Sequence, residues 1–153
     1  MEQAQKILLM IAPLADPRSS EQVGYVDLLK GDIALAAGQR DTAIELFKQS
    51  NKENRTGISV EALAHAYQES RDIGAATDAY ASMFSSPDLY LSLSWEPQQR
   101  WLEARYTLAT DYAARGDKLK ARETLETLLN LWKDADADLP LLKKAKSEYA
   151  KLQ

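Results

Sequence analysis

Cysteine is absent from this chain, which excludes disulfides, thiolate metal ligands and cysteine nucleophiles while leaving the compartment open. Histidine occurs once, at position 65, so neither a two-histidine metal site nor a convincing nucleophile–histidine pair can be assembled. The six glycines never cluster into a phosphate-cradling loop. The longest apolar run near the start, ILLMIA at 7–12, falls well short of the roughly 20 residues that cross a bilayer. It has no basic leader and no clear small-residue cleavage site, so it does not read as a signal peptide. Nothing in the chain targets it, and a chain standing alone is expected in the cytoplasm. Excess positive charge is missing too: the net charge is −4, with Lys and Arg scattered among Asp and Glu. No nucleic-acid partner and no membrane insertion are therefore expected.

What is present is 45% hydrophobic and 27% charged composition over 153 residues, enough for an ordinary domain with its own core. Between the scarce Gly and Pro the chain is rich in Ala, Leu, Glu, Lys, Gln and Arg, which lose little side-chain freedom in a helix. Apolar residues recur at three and four, as in Leu108 and Tyr112, then Ala121, Leu125 and Leu128. The reading is all-α, with helices at about 2–14, 21–37, 41–51, 57–70, 73–84, 96–115, 118–133 and 139–152. The one strand-like stretch, DLYLSLSW at 88–95, is short and follows Pro87, and reads as a loop. Pro17 is expected to stop the first helix. Gly38 and Gly116 are expected just past helix ends in the left-handed conformation. Gly57 is placed just ahead of the fourth helix. Ser94 with Pro97, and Asp138 with Pro140, are expected to open the sixth and last helices.

The chain repeats itself. AAGQRDTAIELF at 36–47 and AARGDKLKARETL at 113–125 share one pattern, and VEALAHAYQESRDIGAATDAY at 60–80 falls into register with both. Ala43, Ala76 and Ala121 are each followed four later by Phe47, Tyr80 and Leu125, and seven later by Ser50, Met83 and Leu128. Twelve earlier stand Gly31, Ala64 and Ala109, with Ala34, Tyr67 and Tyr112 three beyond them. This register resembles the tetratricopeptide repeat, a helix–turn–helix unit of about 34 residues. The resemblance implies a right-handed α-α superhelix in one domain over 1–153, with a half repeat at 2–16, repeats at about 24–56, 57–90 and 96–133, and a capping helix at 139–152. The excess spacing between the second and third units is assigned to an insertion at 84–99. The leading Trp of the family pattern is missing from every unit, and Lys30 replaces the usual Leu.

Ala4, Leu8 and Ile11 follow the spacing of a second helix without a first one ahead of it. A half repeat implies a longer chain, or a partner on the bare face, so association of like chains through residues 2–14 is one expectation. The tail LWKDADADLPLLKKAKSEYAKLQ, 131–153, is similar to the C-terminal repeat regions of large bacterial signalling proteins that carry a kinase, cyclase or winged-helix domain. That similarity implies a sensor or docking module; no kinase motif occurs here.

Little else points to chemistry. His65 has Glu61 and Glu69 one turn to either side, which reads either as a metal or proton-relay site or as a solvated polar face; without a second His or Cys the latter is preferred. DADAD at 134–138 begins like a calcium loop, but Leu139 and Pro140 follow where Gly belongs, and Ala145 stands where its Glu should fall. No catalytic residues, no cofactor, no metal and no enzymatic activity are expected.

What remains is a surface. In the tetratricopeptide family the first helices line a concave groove that holds a peptide or helix. The resemblance places Tyr25, Leu28, Asp32 and Leu35 there from the first unit. It adds Glu61, His65, Gln68 and Glu69 from the second, and Glu103, Tyr106, Thr110 and Ala113 from the third. The Lys and Asn of family members that grip a carboxyl terminus are replaced by Leu28, Asp32, Glu61 and His65, so that grip is absent. An acidic groove with two tyrosines would suit a partner with basic and apolar side chains; the competing reading buries Tyr25 and Tyr106 in the core. Trp95 and Trp101 flank Pro97 and Arg100 and read as a contact site or as pins for the insertion. The leading expectation is a non-catalytic protein-interaction scaffold; a self-association module and a small-ligand sensor around His65 are the alternatives.

Overall fold

A computed structural model describes residues 2–86, 89 and 98–153. The described residues form eight α-helices and one short 3₁₀ turn: α1 (Glu2–Ile11), the 3₁₀ turn Ala12–Leu14, α2 (Ser20–Ala36), α3 (Arg40–Glu53), α4 (Gly57–Glu69), α5 (Ile73–Phe84), α6 (Gln98–Ala114), α7 (Lys118–Leu131) and α8 (Pro140–Lys151). No strand occurs among them. They fall into two compact units, Met1–Ser92 and Leu93–Gln153.

In the first unit α2 packs on α3 and α4 on α5, with α3 joining the two hairpins and α1 resting on α2. The second unit is the hairpin of α6 and α7, with α8 against both. The three hairpin turns are built alike. Gln39, Asp72 and Asp117 each donate their backbone N–H to the carbonyl five residues back, on Ala34, Tyr67 and Tyr112, at 2.9 Å. This bond closes a helix end only if the preceding residue is left-handed. Gly38 and Gly116 adopt φ of 77° and 84°, and Arg71 takes the equivalent place at 63°. A glycine does this without penalty, whereas an arginine puts its Cβ against the backbone.

The register read from the sequence is a register of burial. Ala43, Ala76 and Ala121 are fully buried, as are Phe47, Met83 and Leu128, and Tyr80 and Leu125 are nearly so. Small residues are needed where helices touch. A Cβ added at Gly31 would stand 2.4 Å from Cε1 of Phe47, and one at Gly24 would stand 2.6 Å from Cβ of Asn54. The Gly24 carbonyl also accepts the buried Ser50 hydroxyl at 2.8 Å. The first hairpin also carries Asp27, buried and bonded to Lys30 Nζ at 2.8 Å.

Several helix ends differ from expectation. The α-helical hydrogen bonding of α1 stops at Ile11, ahead of Pro17, because Pro13 lacks an N–H and its ring opposes the carbonyl of Leu9; a 3₁₀ turn follows. Gly57 is the first residue inside α4 and not ahead of it, because Thr56 accepts from the Ser59 N–H while the Ser59 hydroxyl accepts from the Thr56 N–H. The cap of α8 is Leu139 and not Asp138. The Asp138 carboxylate instead accepts from Lys143 Nζ at 2.8 Å, and Pro140 fills the first turn, where its missing N–H costs nothing. Ser94, Trp95 and Pro97 lie outside the described residues, as does most of 88–95; within that stretch, expected as loop, Leu89 is helical and buried.

Candidate surface of the first and second units

The helices α2 and α4 stand side by side in the first unit, and 33 residues of offset make Asp32 and His65 equivalent, Leu28 and Glu61 equivalent, and Leu35 and Gln68 equivalent. Their outward residues follow from the 3.6 period once the small positions Gly31 and Ala64 are turned inward. Tyr25, Asp32, His65 and Glu69 are exposed, and Leu35, Glu61 and Gln68 are half-buried. Leu28 is buried in the core with Ala34, Ala43 and Phe47, so it supports this surface from beneath. Tyr25 is 44% exposed, which removes it from the core. Glu69 faces Arg40 at 3.7 Å, with both side chains about half exposed, a pair too open to hold either group firmly.

Charge is unevenly distributed. Helices α2 and α4 together carry Glu21, Asp27, Asp32, Glu61 and Glu69 against the single Lys30. Their excess of four carboxylates equals the net charge of the whole chain, −4. Helix α6 balances Arg100 and Arg105 against Glu103 and Asp111, so the acidic surface belongs to the first unit.

In the second unit Glu103 is exposed, while Tyr106 and Thr110 are half-buried. Tyr106 packs on the core of Ala109, Leu125, Leu128 and Ala145. Burial pushes its hydroxyl above the usual phenol pKa, with a smaller push from Glu148 and an opposing pull from Lys151. Its ring therefore serves the docking of α8. Thr110 donates to the Thr107 carbonyl at 2.8 Å and turns its hydroxyl back on its own helix. Trp101 is half-buried and stacked by the Arg105 guanidinium, 4.7 Å from the ring centroid.

Two hollows were not anticipated from the sequence. One, about 440 Å³, is lined by Leu102, Glu103, Trp132, Leu139, Pro140, Leu141 and Lys144, predominantly apolar with Glu103 and Lys144 as its charges. Its wall comes from α6, the end of α7 and the start of α8, so no local pattern marks it. The other, about 630 Å³, is an open polar hollow at the start of α3 lined by Gly38–Thr42 and Ser70. Among the described residues no three His, Cys, Asp or Glu side chains gather as a metal ion would require, and no helix is long and apolar enough to cross a membrane.

No protein-family profile matches this chain, and no curated protein matches it. Among solved structures, a Podosopora anserina protein described as kinesin light chain with nearly identical TPR-like repeats is similar over 99% of this chain and 74% of its own, with 21% identity and a TM-score of 0.70. A point variant of that protein has the same coverage and TM-score at 20% identity. The TPR domain of Arabidopsis OM64 is similar over 86% of this chain and 98% of its own, with 15% identity and a TM-score of 0.63. The fold is thus all-α, of the stacked helix–turn–helix tetratricopeptide kind.

Proposed function

We propose that the chain is a non-catalytic protein-interaction scaffold whose α2–α4 surface receives an extended peptide or helix bearing basic and apolar side chains. The observation that carries this reading is the concentration of the net negative charge on α2 and α4 beside the exposed Tyr25. Opposite charge steers and selects a partner, while an exposed aromatic ring supplies apolar contact at small entropic cost. Asp32, His65 and Glu69 form the outer row, with Glu61 and Gln68 lower on its flank. The second unit by itself carries a hollow beside Trp132 whose charges are Glu103 and Lys144. The similarity of 131–153 to the repeat regions of bacterial signalling proteins supports placing this scaffold in a signalling chain.

Selection of random peptides on the immobilised chain tests the proposal without assuming a partner. Enrichment of sequences pairing Lys or Arg with aliphatic residues is expected, with binding that weakens as salt rises. Replacing two of the exposed acids, Asp32→Lys with Glu69→Lys, should weaken the selected peptides by about tenfold or more while helix content is unchanged. Enrichment of acidic peptides, or an affinity indifferent to the double substitution, would overturn the assignment.

A further inference from the structure

Helix α1 buries none of its residues. Ala4, Leu8 and Ala12, spaced by four and half-buried, form the side that rests on α2. Next to that side Ile7, Met10, Ile11 and Leu14 remain 49%, 71%, 41% and 81% exposed. Ile7, Met10 and Ile11 share one side of α1, and Leu14 follows in the 3₁₀ turn Ala12–Leu14, so the end of the helix carries an apolar seam with no neighbour on it among the described residues. Leu9, 76% exposed, falls on the opposite flank of the helix.

We propose that this seam is a self-association surface, on which the α1 of a second copy of the chain packs through a two-fold axis. The four seam side chains expose roughly 500 Å² per copy, within the 300–600 Å² of the largest patch on a typical soluble monomer. A symmetric pair would bury at most about 1,000 Å² through these residues, the area of a weak, reversible dimer. The face is also electrically self-compatible. The charged residues of α1 are Glu2 and Lys6, and they already pair at 2.8 Å, so two copies meet without repulsion. A membrane surface is the poorer fit, since a helix that lies on anionic lipid needs a row of Lys or Arg on its polar face. A two-fold pair is closed, so it yields a dimer and no larger array.

Analytical ultracentrifugation and light scattering of the 153-residue chain from about 1 to 100 µM test this in the range where such an interface should dissociate. A monomer–dimer equilibrium is expected. Met10→Glu should raise the dissociation constant about a hundredfold or more, because the pair would desolvate a carboxylate. Leu9→Glu, an equal change in charge on the other flank, should leave the constant within about threefold. Circular dichroism establishes that both variants keep their helices. A wild-type monomer at the highest concentration, an assembly larger than two, or equal loss of the dimer with Leu9→Glu and Met10→Glu would each overturn the proposal. So would binding of the monomeric chain to phosphatidylserine vesicles that Met10→Glu abolishes. Asp32→Lys with Glu69→Lys leaves the seam intact and should not change the dimer, which separates this surface from the peptide-binding one.

Discussion

Replacing Gly31 with alanine pits two opposed effects of known size against each other. Away from contacts, alanine in a helix is favoured over glycine by about 1 kcal/mol. At position 31 the added Cβ would lie 2.4 Å from Cε1, 2.6 Å from Cδ1 and 3.0 Å from Cζ of Phe47. Ordinary carbon contact begins near 3.4 Å, so the ring edge must retreat by about 1 Å. Phe47 is fully buried, so its ring can retreat only by displacing its neighbours in a close-packed core. Overpacking of this kind costs about 1–3 kcal/mol, and a cornered ring belongs near the upper end. The net expectation for Gly31→Ala is a loss of about 2 kcal/mol after the gain in helix propensity.

The third hairpin supplies the compensating change. There the equivalent pair is Ala109 with Leu125, both buried. Phe47→Leu alone should cost about 1 kcal/mol by leaving a void, and the alanine methyl should fill part of it. The double variant is then expected to be more stable than the two single losses imply, by about 1 kcal/mol or more. Urea unfolding followed by far-ultraviolet circular dichroism measures all four corners of this cycle. Trp101 and Trp132 both lie in the second unit, so their fluorescence gives a separate signal that a change at Gly31 reaches only if the units unfold together. Were Gly31→Ala stabilising, or the two changes additive within about 0.5 kcal/mol, the claim that this position is small because two helices touch there would fail.

Other expectations follow from the same register. Arg71→Gly should stabilise the second hairpin by about 1 kcal/mol, since φ of 63° penalises a Cβ; a lower urea midpoint would contradict it. Asp72 caps α5 by accepting from the Ala75 N–H at 3.0 Å, whereas Gln39 at the same place gives α3 no side-chain cap. Gln39→Asp should therefore gain, and Asp72→Ala lose, about 1 kcal/mol in the same measurement. Ala76→Leu should cost at least about 1–3 kcal/mol, because the site has no exposed surface. The docking of α8 should weaken at high pH. Tyr149 donates its hydroxyl to Glu126 at 2.7 Å, which raises its pKa, and burial raises that of Tyr106. Both favour the neutral phenol in the folded state, so their stabilisation is complete below the ordinary tyrosine value of about 10 and is lost as pH rises through the raised values. Tyr149→Phe should flatten the alkaline fall of the thermal midpoint; an unchanged pH profile would refute the link.

The parts of the fold legible in the sequence are those governed by contact at one residue. Ala43, Ala76 and Ala121 announce helix crossings because only a methyl fits, and Gly38 and Gly116 announce turns because a Cβ is penalised there. Arg71 was illegible for the converse reason. Closure of the second hairpin imposes its conformation, and the penalty is small enough for the rest of the unit to absorb. Pro13 ends α1 from inside an otherwise helical stretch, ahead of the plainer stop signal at Pro17. Asp138 has the residue type of a cap, but Lys143 takes its carboxylate. The hollow beside Trp132 could not be read at all, since Leu102, Trp132 and Leu141 are brought together only by the packing of three helices.

The same division bears on function. In a stack of hairpins, backbone geometry spends its constraints on the inward positions, so 31, 64 and 109 must all be small. The exposed positions of these helices carry no such demand: 32, 65 and 69 are Asp, His and Glu. Substitution there changes what the surface attracts at little cost to the fold. Apart from Asp27, which is buried and bonded to Lys30, the acids of α2 and α4 are not demanded by the hairpin register, for the α6 helix occupies the same register with balanced charge. A charge pattern that packing does not demand is the part of this chain that selection of a partner would act upon, and the double substitution at Asp32 and Glu69 addresses that pattern while leaving the crossings untouched.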